Sequence, residues 1–136
     1  MLHEHITGQI IKAIYQVYTE LGYGFLESVY EKALVIALRE MGLKAETQVA
    51  ANVHFRSQLV GEFRCDLLVE DLVIVELKAC RAMDKAFEAQ LLNYLKATDV
   101  EVGILVNFGP KIEFKRFVFD NPRKTRCGTS DPLDPC

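Results

Sequence analysis

The segment at residues 73–78, with the sequence VIVELK, is the feature that most constrains this chain. A continuous apolar run of this kind predicts a strand that is buried on both faces of a sheet. Because strand side chains alternate, Glu76 and Lys78 are expected on the same face. Buried charges are costly unless they are paired, hydrogen-bonded or bound to a metal. The run therefore predicts a core strand that ends at a charged site, and Asp66 on the preceding strand is expected to share it.

Length and composition predict one intracellular globular domain. The chain has 136 residues, half of them hydrophobic, which is enough for one core. No apolar run approaches the roughly 18 residues of a membrane span, and the N-terminus lacks the pattern of a secretory signal. We therefore expect a cytoplasmic protein with no membrane association. The formal charge of −3 argues against a broad basic surface for nucleic acid.

Hydrophobic periodicity predicts eight elements in the order ααβββαββ. Helices are expected over residues 6–21, 27–41 and 83–98, and strands over 44–55, 59–69, 72–79, 102–108 and 112–119. This order predicts an α+β domain built around one mixed sheet that is flanked by helices. The domain should span residues 1–119, and residues 120–136, rich in Pro, Gly and polar side chains, are expected to form a disordered tail.

Three charged side chains on the central strands are candidates for a metal-assisted site. Asp66 and Glu76 would supply hard oxygen ligands for Mg²⁺ or Mn²⁺, with the backbone carbonyl of Leu77 as a third ligand. Lys78 would position a water molecule or offset developing charge. The structural alternative is a cross-strand salt bridge from Lys78 to Asp66 or Glu76, and the residues alone leave both interpretations open.

Three residues on the helices could complete this site. Gln90 and Tyr94 fall on one face of the third helix and could support the lysine or a phosphate, although Tyr94 could equally be a core residue and Gln90 a solvated one. Glu27 could add a third carboxylate, but an acid is also favourable in the first turn of any helix. Glu31, one turn later, is expected to be solvated.

Five sequence blocks resemble the GxxExxR proteins, which are small prokaryotic members of the PD-(D/E)xK nuclease superfamily. The blocks are GFLESVYE at 24–31, RCDLLV at 64–69, VELKA at 75–79, QLLNYL at 90–95 and GILVNFG at 103–109. The resemblance implies a restriction-endonuclease-like fold. It also places Glu27, Asp66, Glu76, Lys78 and Gln90 at the positions of the superfamily's active-site pattern. Two departures stand out: Tyr30 replaces the Arg of the family name, and Cys65 replaces the proline before the first Asp.

Two functions are compatible with these residues and this resemblance. The first is a metal-dependent nuclease acting on DNA or RNA, with Asp66 and Glu76 as metal ligands, Lys78 as the water-positioning base and Glu27 and Gln90 in auxiliary roles. The second is a binding or regulatory protein that keeps the fold without turnover. The expected partner is nucleic acid, and a homodimer is left open.

The register of the hairpin between the two site strands decides whether a shared site can form. With a two-residue turn at Glu70-Asp71, Asp66 would pair with Val75 and face away from Glu76, because a shift of one residue moves every side chain to the other face. An odd-length connection that pairs Val69 with Val73, or a bulge that re-aims Asp66, would bring the carboxylates together. The nuclease hypothesis requires one of these two arrangements.

Overall fold

The computed structural model describes residues 2–119, and their elements follow the predicted order ααβββαββ. The elements are α1 (Glu4–Leu21), α2 (Glu27–Glu40), β1 (Ala45–Phe55), β2 (Gln58–Val69), β3 (Val73–Lys78), α3 (Lys85–Ala97), β4 (Val102–Phe108) and β5 (Ile112–Val118). The predicted ends differ from these by at most two residues, the usual uncertainty at the ends of elements. The predicted tail at 120–136 lies outside the described residues.

The five strands form one mixed sheet with the order β1-β2-β3-β4-β5. Neighbouring strands are antiparallel except for β3 and β4, which are parallel. A parallel pair requires a crossover connection, and α3 supplies it. The α+β architecture predicted from the sequence, with one mixed sheet flanked by helices, is confirmed.

Two hydrophobic clusters cover opposite faces of the sheet. The first cluster contains the apolar sides of α1 and α2 together with Val73, Val75 and Leu77 of β3. The second cluster packs α3 against the other face and includes Ile74. Since alternate residues of β3 enter opposite clusters, this strand is buried on both faces, as its continuous apolar run predicts.

No helix among residues 2–119 combines the length and apolar character that crossing a membrane requires.

Candidate active site

The hairpin between β2 and β3 has the odd-length connection that a shared site requires. Val69 pairs with Val73, so Glu70, Asp71 and Leu72 form a three-residue loop, and the Leu72 N–H donates to the Val69 carbonyl at 3.0 Å. Glu70 and Asp71 both have positive φ angles, of 53° and 57°. Aspartate tolerates this left-handed region better than most residues, and Glu70 is held there by its hydrogen bonds to the backbone of Lys44. The odd-length register is therefore confirmed, and it brings Asp66 opposite Glu76.

The backbone ladder between β2 and β3 opens at this point. Its last pair is Leu67 with Val75, and beyond it side chains replace backbone partners. The Leu77 N–H donates to Asp66 Oδ2 at 2.7 Å, and the Asp66 N–H donates to Glu76 Oε1 at 3.3 Å. The two carboxylates thus lie between the separating strands, each held by a backbone donor from the opposite strand.

Helix α2 brings two further acids to the same place. Glu27 opens the helix and Glu31 follows one turn later, which puts both on one face. Glu31 Oε1 and Asp66 Oδ1 accept hydrogen bonds from the same donor, the Gln48 side-chain nitrogen, at 3.3 and 3.4 Å. Glu31 is half-buried, and besides its partial exposure to solvent it has a hydrogen bond to Gln48 that the sequence did not indicate. Gln48 had no sequence signal, because an isolated glutamine in an alternating strand resembles any solvent-facing residue.

Burial and like charge act on the acids of this cluster. Burial, followed by repulsion from Asp66, raises the pKa of Glu76 from 4.5 to about 8, and the charge of Lys78 opposes the increase. Glu76 is only 2% exposed, which explains why burial is the larger cause. The pKa of Glu27 is also raised, first by burial and then by Asp66. Charge repulsion between neighbouring carboxylates is enough to raise the pKa of one of them, and in this structure desolvation is the larger cause for Glu76.

Lys78 lies near these acids without forming a close pair with either of them. Within residues 2–119 no ion pair at 4 Å or less involves Lys78, which contradicts the alternative of a cross-strand salt bridge. Its ammonium group instead lies 4.9 Å from the centre of the Phe87 ring, at the start of α3. Such a cation–π contact orients the ammonium group without neutralising it. The lysine charge is therefore left to act on neighbouring groups.

The two candidates on α3 occupy different environments. Tyr94 is buried beside Cys65, whose thiol interacts with the tyrosine hydroxyl, and burial raises the pKa of Tyr94 well above its usual value. This is the core environment considered as the alternative, and it gives Tyr94 no exposed surface for a substrate. Gln90 is exposed and makes no hydrogen bond to the acids within residues 2–119. Tyr94 is therefore a core residue close enough to Glu76 to sense its charge, and Gln90 is exposed on α3 without a hydrogen bond to the acids among residues 2–119.

Asn107 positions the chain immediately after Lys78. Its Oδ1 accepts from the Cys80 N–H and its Nδ2 donates to the Cys80 carbonyl, both at 3.0 Å. Asn107 is 1% exposed, so these bonds satisfy a buried amide that would otherwise be costly. The sequence carried a signal for this role, since Asn107 is a polar residue inside the apolar strand β4, but sequence reasoning did not use it.

The side chains of Asp66 and Glu76 offer the kind of ligand atoms that a divalent cation prefers. Asp66 and Glu76 are hard oxygen donors, and a bound dication would relieve the burial and mutual repulsion that raise the pKa values of Glu76 and Glu27. Among residues 2–119 no three His, Cys, Asp or Glu side chains are already arranged as a complete ligand set. Two carboxylates would therefore be the side-chain ligands of a bound cation, and any further ligands would come from the backbone or water.

The open ladder, the flanking acids and the mixed sheet with its α3 crossover define a protein of the restriction-endonuclease-like class. The chain belongs to the PD-(D/E)XK nuclease superfamily, whose family model matches residues 4–117. A solved structure, the crystal structure of SSO0001, is similar with a TM-score of 0.55 at 22% identity, covering 72% of this chain and 52% of that one. This likeness shows the fold alone, and the chain spans about half the length of that protein. The search of curated proteins found no match.

Proposed function

We propose that this protein is a metal-dependent nuclease that hydrolyses phosphodiester bonds in DNA or RNA, with Mg²⁺ or Mn²⁺ as its metal. The observation that carries the proposal is the opened ladder, where Asp66 and Glu76 face each other between β2 and β3. A buried Glu76 with a raised pKa, beside a second carboxylate and a lysine that forms no ion pair within residues 2–119, is costly as structure alone. Membership of the superfamily supports the same activity.

Asp66, Glu76 and the Leu77 carbonyl would hold the metal. The N–H and C=O of one strand residue point to the same side, and the Leu77 N–H reaches Asp66, so the Leu77 carbonyl faces the same gap. A bound divalent ion would polarise the phosphate and lower the pKa of its water. In the metal-free protein Glu76 keeps its proton to about pH 8, so loading the site would displace that proton.

The other candidate residues would orient the attacking water and the substrate, and would offset the charge that develops on the phosphate. Lys78, supported by the Phe87 ring, would orient the attacking water and offset charge that develops on the phosphate. Glu27 would act as an auxiliary acid beside Asp66. Gln90 would reach the substrate from the exposed side of α3, and Tyr94 would act only indirectly, by holding α3 against Cys65.

We further propose membership of the GxxExxR group within the superfamily. Gly24 and Glu27 stand at the first two positions of its name, and Tyr30 stands at the third. Tyr30 is fully buried and stacked on Phe108, with ring centroids 4.5 Å apart. Its hydroxyl donates to the Gly22 carbonyl at 2.6 Å. We infer that the exchange of Arg for Tyr at this position alters the packing of the α1–α2 connection.

A panel of DNA and RNA substrates with Mg²⁺, Mn²⁺ or EDTA tests the proposal. We expect metal-dependent cleavage by the wild type and a loss of at least about 100-fold in Lys78→Ala, with metal binding retained in calorimetry. Asp66→Asn should lose both metal binding and cleavage. Lys12→Ala, which removes an exposed lysine from α1, is the matched control and should behave as wild type. Cleavage that persists in EDTA or in Lys78→Ala would refute the proposal.

The formal charge of −3 favours a second candidate, a binding or regulatory protein without turnover, since it provides no broad basic surface for tight nucleic-acid binding. The same panel separates the two. Binding of Mg²⁺ at Asp66 with no cleavage of any substrate would assign the second function.

A further inference from the structure

Gln48 has a backbone conformation that strand residues rarely adopt. It lies inside the 11-residue strand β1, yet its φ angle is +51°. Its neighbours Thr47 and Val49 pair with Leu67 and Cys65, but Gln48 and the opposing Asp66 form no ladder pair. Residues other than glycine are uncommon in this left-handed region, and they persist there only where the surrounding structure imposes it.

The ribbon formed by the paired strands β1 and β2 exchanges the faces that it presents to the two hydrophobic clusters at this position. Ala45 and Leu67 enter the cluster under α1 and α2, whereas Ala51 and Cys65 enter the cluster under α3. In a regular strand, residues an even number apart face the same side, so both strands exchange faces between these positions. The exchange occurs at Gln48 and Asp66, and it turns Asp66 toward the opened ladder.

The side chain of Gln48 uses this conformation to connect two elements of the site. Its Nε2 donates to Glu31 Oε1 on α2 and to Asp66 Oδ1 on β2, at 3.3 and 3.4 Å. The Arg64 guanidinium donates to the Gln48 carbonyl at 3.2 Å and stabilises the turned backbone. Asp66 is consequently held at both oxygens, because its Oδ2 accepts from the Leu77 N–H.

The residue type itself indicates a role for the side chain. If the ribbon needed only the left-handed backbone, glycine would supply it without steric cost. Gln48 bears that cost and places its amide between two carboxylates that would otherwise face each other with no shared donor. Hydrogen bonds to charged groups are stronger than those between neutral groups, so the amide can hold both acids in place.

We propose that Gln48 is a positioning residue of the candidate active site, which holds Asp66 in its ligand orientation and ties Glu31 of α2 to it. The consequence for catalysis rests on the proposed nuclease function, whereas the contact itself does not. Partners that orient ligating carboxylates typically contribute 10–100-fold to metal affinity or activity. Gln48 would contribute on that scale without touching the metal or the substrate.

Gln48→Gly is the decisive variant, because glycine accepts the turned backbone while the amide is lost. Ser57→Gly, at the tip of the same ribbon with φ of +64°, is the matched control. We expect both variants to melt close to wild type, and Gln48→Gly alone to lose about 10-fold or more in Mg²⁺ affinity and in kcat, with KM for the nucleic acid unchanged. Equal metal affinity and kcat in Gln48→Gly and wild type would overturn the proposal.

A spectroscopic measurement tests the contact in the metal-free protein. The side-chain amide signal of Gln48, identified by its loss in Gln48→Gly, should shift in Asp66→Asn and in Glu31→Gln, but not in Glu40→Gln on the exposed end of α2. A signal that is insensitive to both acids would overturn the positioning role even if the protein is a nuclease. A signal that shifts in a protein that neither binds metal nor cleaves nucleic acid would refute the proposed function and leave the contact intact.

Discussion

Replacing Glu76 with glutamine should stabilise the metal-free protein, and the gain should grow with pH. Glu76 is 2% exposed, and the pKa of its carboxyl group rises from 4.5 in the unfolded chain to about 8 in the folded protein. Below about pH 4.5 both states keep the proton and no penalty exists. As the pH rises toward 8, the unfolded state loses its proton first, so the wild type loses stability that Glu76→Gln retains.

The size of the effect follows from the same two values. One pKa unit corresponds to about 1.4 kcal/mol, so a pKa of about 8 instead of 4.5 lowers the free energy of unfolding by about 5 kcal/mol at pH 9. Glutamine keeps the carbonyl that accepts from the Asp66 N–H, so this bond is not lost. Relaxation around a buried charge reduces such penalties, and we expect a measured gain of about 2–5 kcal/mol.

Urea unfolding in EDTA between pH 5 and pH 9 measures this prediction. The difference in unfolding free energy between Glu76→Gln and wild type should increase from pH 5 to about pH 8 and level off above it. Glu20→Gln, which neutralises an exposed acid on α1, corrects for the loss of one charge and should show no such increase. A difference that stays constant within about 0.5 kcal/mol would refute the assignment of a buried, destabilised carboxylate to Glu76.

Three further predictions concern the scaffold of the site. Asn107→Ala should lower the urea-unfolding free energy by about 2–4 kcal/mol, because it leaves the N–H and carbonyl of Cys80 without their partner. Gly109→Ala should lower the free energy of unfolding by about 2 kcal/mol, because the added Cβ would lie 2.5 Å from the Cys80 carbonyl oxygen. Gly8→Ala in α1 is the contrasting variant, since no atom lies within 4 Å of its added Cβ, and it should raise the free energy of unfolding by about 0.5–1 kcal/mol in the same assay. Tyr30→Phe loses the hydroxyl bond to the α1–α2 connection, and calorimetry should record a lower melting temperature, equivalent to about 1–2 kcal/mol.

Local patterns in the sequence were sufficient to predict the elements and the central acids. Hydrophobic periodicity depends only on neighbouring residues, so the eight elements and their order follow from it. The alternation rule placed Glu76 and Lys78 on one face. The requirement that Asp66 meet Glu76 then left two arrangements, an odd-length hairpin or a bulge, and the odd-length hairpin is the one observed.

The tertiary structure alone decided how the rest of the site is assembled. The left-handed backbone of Gln48 and the exchange of faces around it depend on two strands twisting together under different helices, and no local pattern encodes that. Glu31 joins the site only because α2 packs where Gln48 can reach it. The buried environment that raises the pKa of Glu76 likewise exists only once the sheet and helices are assembled, because desolvation depends on all surrounding atoms.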